Sequence, residues 1–301
     1  MGDEAGKKPK RFSRRKKAAF AVLLACLLAG GVWYFASDHP RADLTLDLGN
    51  GVTMKLVRIP AGTFTMGSPA AEPGHTPDEG PQHEVTISKL FYVGIYTVTQ
   101  AQYEQVMGTN PSFFKGANNP VETVSWDDAT EFCKKLSQKK GRKVRLPTEA
   151  QWEYACRAGT TTAYNTGLTL SLGQADCDFS ASSVGPPGNW EKLKDWVRSL
   201  FPAPKRNQGG PRPVGSFKPN SFGLYDMHGN IFQWCADWYL EDSYVNSPKA
   251  DPKGPENGEF RVQRGGSWDD LPRTCRCAFR SWGSQAFWDD NIGFRVVLDS
   301  E

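Results

Sequence analysis

The sequence predicts one exported domain of short strands and a few helices, low in regular structure, held behind an N-terminal membrane helix. Three observations carry this reading. An uncharged apolar run at residues 18–36 follows a basic tail. Strand-like and helix-like segments alternate from residue 52 to residue 141. Beyond Arg157 the text is loop-rich, with dispersed glycines and ten tryptophans in the whole chain. With 39% hydrophobic and 12% aromatic residues over 301 positions, the chain can bury a core without long elements.

The tail, residues 1–17, carries eight Lys/Arg against Asp3 and Glu4. Residues 18–36, AAFAVLLACLLAGGVWYFA, are long enough as a helix to cross a hydrocarbon core. The charge before the run places the N-terminus in the cytoplasm and the domain outside, with Trp33 and Tyr34 at the interface. Three readings share this segment: a retained signal anchor, a cleaved secretory signal, and a lipoprotein signal on Leu23 to Cys26. The anchor is preferred because the apolar run continues past Cys26 and ends in bulky residues. All three export the domain. Residues 37–51 read as a polar stalk, and residues 52–301 as the domain.

Within the domain, MKLVRIPAGTFTMGS alternates as a strand does and is broken at Pro60-Ala61-Gly62. HEVTISKLFYVGIYTVT, rich in β-branched and aromatic residues, reads as one or two strands. Thr99 is a helix cap before QAQYEQVMG. A longer helix follows Ser125, with Asp127 and Asp128 at its positive end, lysines in its last turn and Gly141 as its stop. From residue 157 to 219 the chain reads as loop, with one short helix around residues 189–201.

Without its tail the chain holds 28 basic and 31 acidic residues, so the domain has no electrostatic case for nucleic-acid binding. Six cysteines lie outside the membrane run: Cys133, Cys156, Cys177, Cys235, Cys275 and Cys277. In an oxidising compartment their default use is structural disulfides. No CxxC occurs, and His39, His75, His83 and His228 lack zinc-ligand spacing. Cys275 and Cys277 stand two apart; on one strand face their separation would strain a direct bridge and leave room for a metal.

Several blocks appear in order: IPAGTFTMGS, FYVGIYTVTQAQYEQVMG, NPVETVSWDDATEFCKKLS, RLPTEAQWEYACRAGT, PVGSFKPNSFGLYDMHGNIFQW, RGGSWDD and NIGFRVV. Together they closely resemble the formylglycine-generating enzyme (sulfatase-modifying factor) family, over residues 52–298. The resemblance implies an α+β, C-type-lectin-like fold with low regular secondary structure. It also implies an oxidase in which two cysteines hold copper and oxygen converts the cysteine of a CxPxR motif into formylglycine.

The positions that match those cysteines are Asp270, counted from Ser267, and Pro272, counted back from Cys277. Thiolates select Cu(I), whereas carboxylates suit hard cations, so copper is not expected here. Ser267, Cys275 and Cys277 remain as catalytic candidates without an assigned role. The resemblance further implies a disulfide from Cys156 to Cys277, or to Cys275. It implies calcium held by the Asp226 side chain, the Gly229 and Ile231 carbonyls and Gln233, an oxygen set that suits Ca²⁺. Asp176 and Asp178 are candidates for a second calcium loop.

The expected function is a membrane-anchored, calcium-stabilised binding or scaffolding module for a protein or glycan ligand outside the cytoplasm. The alternative is a formylglycine-generating oxidase, or a related copper- and oxygen-dependent modifier of exported proteins. Residues 267–270 and 282–290 form the candidate surface; their aromatic side chains are either exposed there or core.

Overall fold

A polar stalk was expected over residues 37–51, yet the sheet starts inside it, at Leu44. In the computed structural model, which describes residues 42–180 and 209–300, Leu44–Gly49 forms strand β1. It pairs antiparallel with β2, Val52–Ile59, across a turn at Asn50 and Gly51. Leu46 and Leu48 are buried, so period-2 alternation was present in LTLDLG and the domain begins near Ala42. The expected membrane segment (residues 18–36) and the helix at 189–201 lie outside the described residues. Among the described residues no helix is long and apolar enough to cross a membrane.

The remaining strands are β3 (Gly62–Met66), β4 (His83–Ile87), β5 (Phe91–Gly94), β6 (Val144–Arg145), β7 (Phe232–Tyr239), β8 (Phe260–Arg264), β9 (Ser281–Gly283), β10 (Ile292–Phe294) and β11 (Val297–Asp299). They build an antiparallel sheet in the order β1-β2-β5-β11-β6, a second sheet β10-β7-β8-β9 in which only β10 and β7 run parallel, and the hairpin β3-β4. Among the described residues the α-helices are α1 (Gln100–Met107), α2 (Trp126–Lys140) and α3 (Glu149–Arg157). The fold is thus α+β with low regular content, as the sequence implies.

Each helix starts in the same way. Thr99, Ser125 and Thr148 accept from the N3 backbone N–H, and the Gln102, Asp128 and Gln151 side chains accept in return from the cap N–H. Gly108 and Gly141 then end α1 and α2 in the left-handed conformation. Helix α3 escapes the sequence reading although its cap was legible. Eight of its nine residues are buried, including Glu149, Glu153 and Arg157, so it has no polar face for periodicity to reveal.

The first sheet is covered on both faces. Met54, Leu56 and Leu298 join Tyr103 and Phe294, with Phe132 and Leu136 of α2, in one core. Ile59, Phe91, Val93 and Val297 point the other way, onto Trp152 and Ala155 of α3, and reach Val262 of β8. The chain ends of β7, β8 and α3 therefore meet around the 264–280 segment.

Candidate functional site

Arg264, the last residue of β8, is fully buried and organises this region. Its guanidinium pairs with Glu153 of α3 and donates to the carbonyls of Cys277 (3.0 Å), Ala278 (2.7 Å) and Phe279 (2.5 Å). Glu153 also pairs with Arg157 at 2.8 Å, and Arg280 pairs with Glu149 at 2.7 Å. Burying charge is costly unless each group is paired and hydrogen-bonded, so this network specifies how the 264–280 loop lies on α3.

After Arg264 the chain passes Gly265 and Gly266, both at positive φ. Gly266 is obligatory, since a Cβ there would stand 2.5 Å from Cys275 Sγ. Ser267 comes next and is buried. Its hydroxyl donates to the Asp270 carboxylate and accepts from Asn291 Nδ2 at 3.2 Å and from the Asp269 N–H at 3.4 Å. Burial, with the nearby Asp269 charge, raises the Asp270 pKa. Among the described residues the hydrogen bonds of the Ser267 hydroxyl go to Asp270, Asp269 and Asn291, the pattern of a hydrogen-bonded turn residue. Pro272 opens a 3₁₀ turn, Pro272–Cys275, and its carbonyl accepts from Tyr164 Oη at 2.8 Å.

That turn corrects the strand geometry expected for Cys275 and Cys277. The two thiols enter separate clusters, and both are fully buried. Cys277 Sγ lies 3.5 Å from Cys156 Sγ, a contact between free thiols. Cys156 is thus brought to Cys277 rather than to Cys275. Between them Arg276 turns toward the loop before β4, bonding Glu72 (2.6 Å) and Glu79 (2.5 Å).

His228, from the HGN turn, completes a group of nitrogen and sulfur atoms within 4.8 Å with Cys156 and Cys277. It is not a metal ligand as placed. Its Nε2 accepts from the Asn165 N–H at 3.1 Å, which assigns the proton to Nδ1, donated to Cys275 O at 2.7 Å. Both nitrogens are engaged. The positions that match the family's copper cysteines, 270 and 272, carry no thiol, and His228 offers no free lone pair beside Cys156 and Cys277.

The implied calcium loop folds as a tight turn, with Asp226, Gly229 and Asn230 all at positive φ. A Cβ on Gly229 would meet the Asp176 carbonyl at 2.1 Å. Asp226 Oδ2 accepts the Gly215 N–H at 2.8 Å, whereas Oδ1 is buried without a partner among the described residues. An orphaned buried carboxylate oxygen fits a cation. Gln233 fits less well. Its Oε1 already accepts from Trp152 Nε1 (2.9 Å) and Arg295 Nε (2.8 Å), and its Nε2 donates to Asp226 O at 2.9 Å. At the second implied loop, Arg212 pairs with Asp176 at 3.0 Å. The Asp178 N–H bonds Asp270 O at 2.7 Å.

The model of the "Sulfatase-modifying factor enzyme 1-like domain" matches residues 49–300. The chain belongs to this family. A formylglycine-generating enzyme of Streptomyces coelicolor is 34% identical over 68% of this chain, which spans 60% of that relative's length. The "Chaperone protein LppX" of Paenibacillus barcinonensis is 33% identical over 71% of this chain and 81% of its own. Among solved structures, PvdO from Pseudomonas aeruginosa superposes with a TM-score of 0.68 at 28% identity, covering 87% of this chain and 100% of its own.

For this sulfatase-modifying-factor-like domain, the alternatives for the aromatic side chains now separate. Trp282 (48%), Phe287 (43%) and Trp288 (60%) are exposed. Trp268 is half-buried and packs edge-to-face on Phe114 at 5.5 Å. Glu122, Asp269 and Asp289 surround Asp290 closely enough to raise its pKa, behind the effect of burial. The sequence offered this surface as a candidate but gave no sign of the Arg264–Glu153 network or of Cys177 packing against the cluster of Cys275. The spacing of Cys177 carries no signal for that packing.

Proposed function

We propose that this chain is a binding or scaffolding module of the sulfatase-modifying-factor fold that does not carry copper oxidase chemistry. Its N-terminal segment anchors it in a membrane with the domain outside the cytoplasm. The surface it offers a protein or glycan ligand holds Trp268, Asp269, Phe287, Trp288 and Asp290. The single observation that supports this reading is the fate of the thiols. A carboxylate and a proline ring stand at the family's copper positions, and Cys275 and Cys277 are buried against other side chains. A disulfide between Cys156 and Cys277 belongs to the same proposal, supported by their 3.5 Å approach.

The similarity to enzymes named as formylglycine-generating favours a second reading, an oxidase. The two part on one assay. Reduced full-length protein incubated with Cu(I), oxygen and a CxPxR peptide is expected to leave the peptide cysteine unchanged. Recovery of an aldehyde-bearing peptide, trapped with a hydrazide, would overturn the binding-module reading.

Calcium is part of the proposal, held by Asp226 Oδ1 and the Gly229 and Ile231 carbonyls, with Gln233 positioning Asp226 through its main-chain carbonyl. A ligand at about 100 times its Kd adds roughly 2.7 kcal/mol, so chelation should lower Tm by about 5–10 °C. Calcium, but not magnesium, should restore it, and Asp226→Asn should remove the effect. An unchanged Tm on chelation would sink the calcium site.

A further inference from the structure

We propose that Cys177 and Cys275 are partners in a second disulfide, independent of the Cys156–Cys277 pair and of whatever the surface binds. Four observations converge on it. Cys275 is fully buried in a small cluster with Ala163 and Tyr164, against which Cys177 packs half-exposed. The two segments are joined at the backbone one residue after Cys177 and five before Cys275, where the Asp178 N–H bonds Asp270 O at 2.7 Å. Gly266 vacates the volume that the Cys275 sulfur occupies. Finally, the neighbouring Cys177 thiol, ahead of burial, raises the Cys275 pKa.

The alternatives are closed by the same packing. Cys277 lies in a different cluster with Cys156, and Arg276 between the two thiols is pinned to Glu72 and Glu79. The Cys-Arg-Cys triplet therefore sends its two sulfurs to two different strangers in sequence. One fastens the segment to helix α3, the other to the loop at Asp176.

The oxidation needs an acceptor for two electrons and two protons, and a low-molecular-weight disulfide such as oxidised glutathione supplies it. The half-exposed Cys177 forms a mixed disulfide, releasing one glutathione thiol. The Cys275 sulfur then displaces the second glutathione and closes the bond. The product ties the segment bearing Trp268 to Asp270 onto the loop that precedes residue 181. It converts the 2.7 Å backbone contact between Asp178 and Asp270 into part of a covalent clamp.

The sequence provides its own assay, because trypsin cuts after Arg276 and so separates the two cysteines. Full-length protein equilibrated with oxidised glutathione is alkylated in denaturant without reduction, digested and mapped by mass spectrometry. The peptide TCR, residues 274–276, is expected joined to the Cys177 peptide, residues 158–192. The peptide CAFR, residues 277–280, is expected joined to residues 146–157. In Cys177→Ser, TCR should be recovered alkylated or as a glutathione adduct, with the CAFR link unchanged. Wild-type TCR found alkylated, glutathionylated, or joined to CAFR or to residues 146–157 would overturn the proposal.

Discussion

Glu153→Leu is expected to destabilise the domain by about 3–5 kcal/mol, the cost of leaving buried charge unpaired. Glu153 is fully buried and serves three partners. Its Oε1 accepts from the Gly67 N–H and from Arg157 Nε, both at 2.9 Å, and its Oε2 pairs with Arg264. Leucine fills the volume but abandons two guanidiniums, one of which carries the carbonyls of residues 277–279. Urea denaturation measures the loss. The double variant Glu153→Leu with Arg264→Met should recover part of it, since removing both partners leaves no orphan at that contact. A single-variant loss below about 1 kcal/mol would show that the network contributes little to stability.

Asp237 is expected to make the domain less stable as pH rises from 4 to 7. Its carboxyl is enclosed beside Glu149 and the two line a cavity of about 300 Å³. Burial pushes its pKa up to about 7, with the Glu149 charge adding to the effect. Its Oδ2 accepts the Glu149 N–H at 2.8 Å. Because the folded value lies above the ordinary carboxylate value, the folded state keeps a proton that the unfolded chain has lost. The stabilisation is complete below pH 4 and disappears as pH rises through 7. The shift bounds this contribution at about 4 kcal/mol. Glu149, held below its ordinary pKa against burial chiefly by the Arg280 charge, acts in the opposite sense and at lower pH. Urea midpoints at pH 4.5, 6 and 7.5 should therefore fall for the wild type and stay level for Asp237→Asn. Equal slopes in the two proteins would refute the assignment.

The legible parts of this fold are those governed by neighbours in sequence. Helix α2 could be read completely, because its cap at Ser125, its acidic first turn and its stop at Gly141 act within a few residues. The break between β2 and β3 was visible at Pro60. Strand β1 was misread as a stalk because LTLDLG is short and its partner lies across a tight turn, so only the pairing reveals it. Helix α3 was hidden by its own burial, with charges where a solvent face would normally betray a helix. The exposed aromatic surface was readable as composition but not as exposure.

Order along the chain was enough to indicate the family and to place Asp270 and Pro272 where its copper cysteines stand. Tertiary structure decided which groups meet. It brought Cys277 against Cys156, packed Cys177 against the cluster of Cys275 about a hundred positions away, engaged both His228 nitrogens, and engaged the Gln233 oxygen with Trp152 and Arg295. The reason is physical: caps, turns and periodicity are set by local geometry. The partner of a buried thiol or charge is set by which distant segments pack against it, and spacing does not encode that.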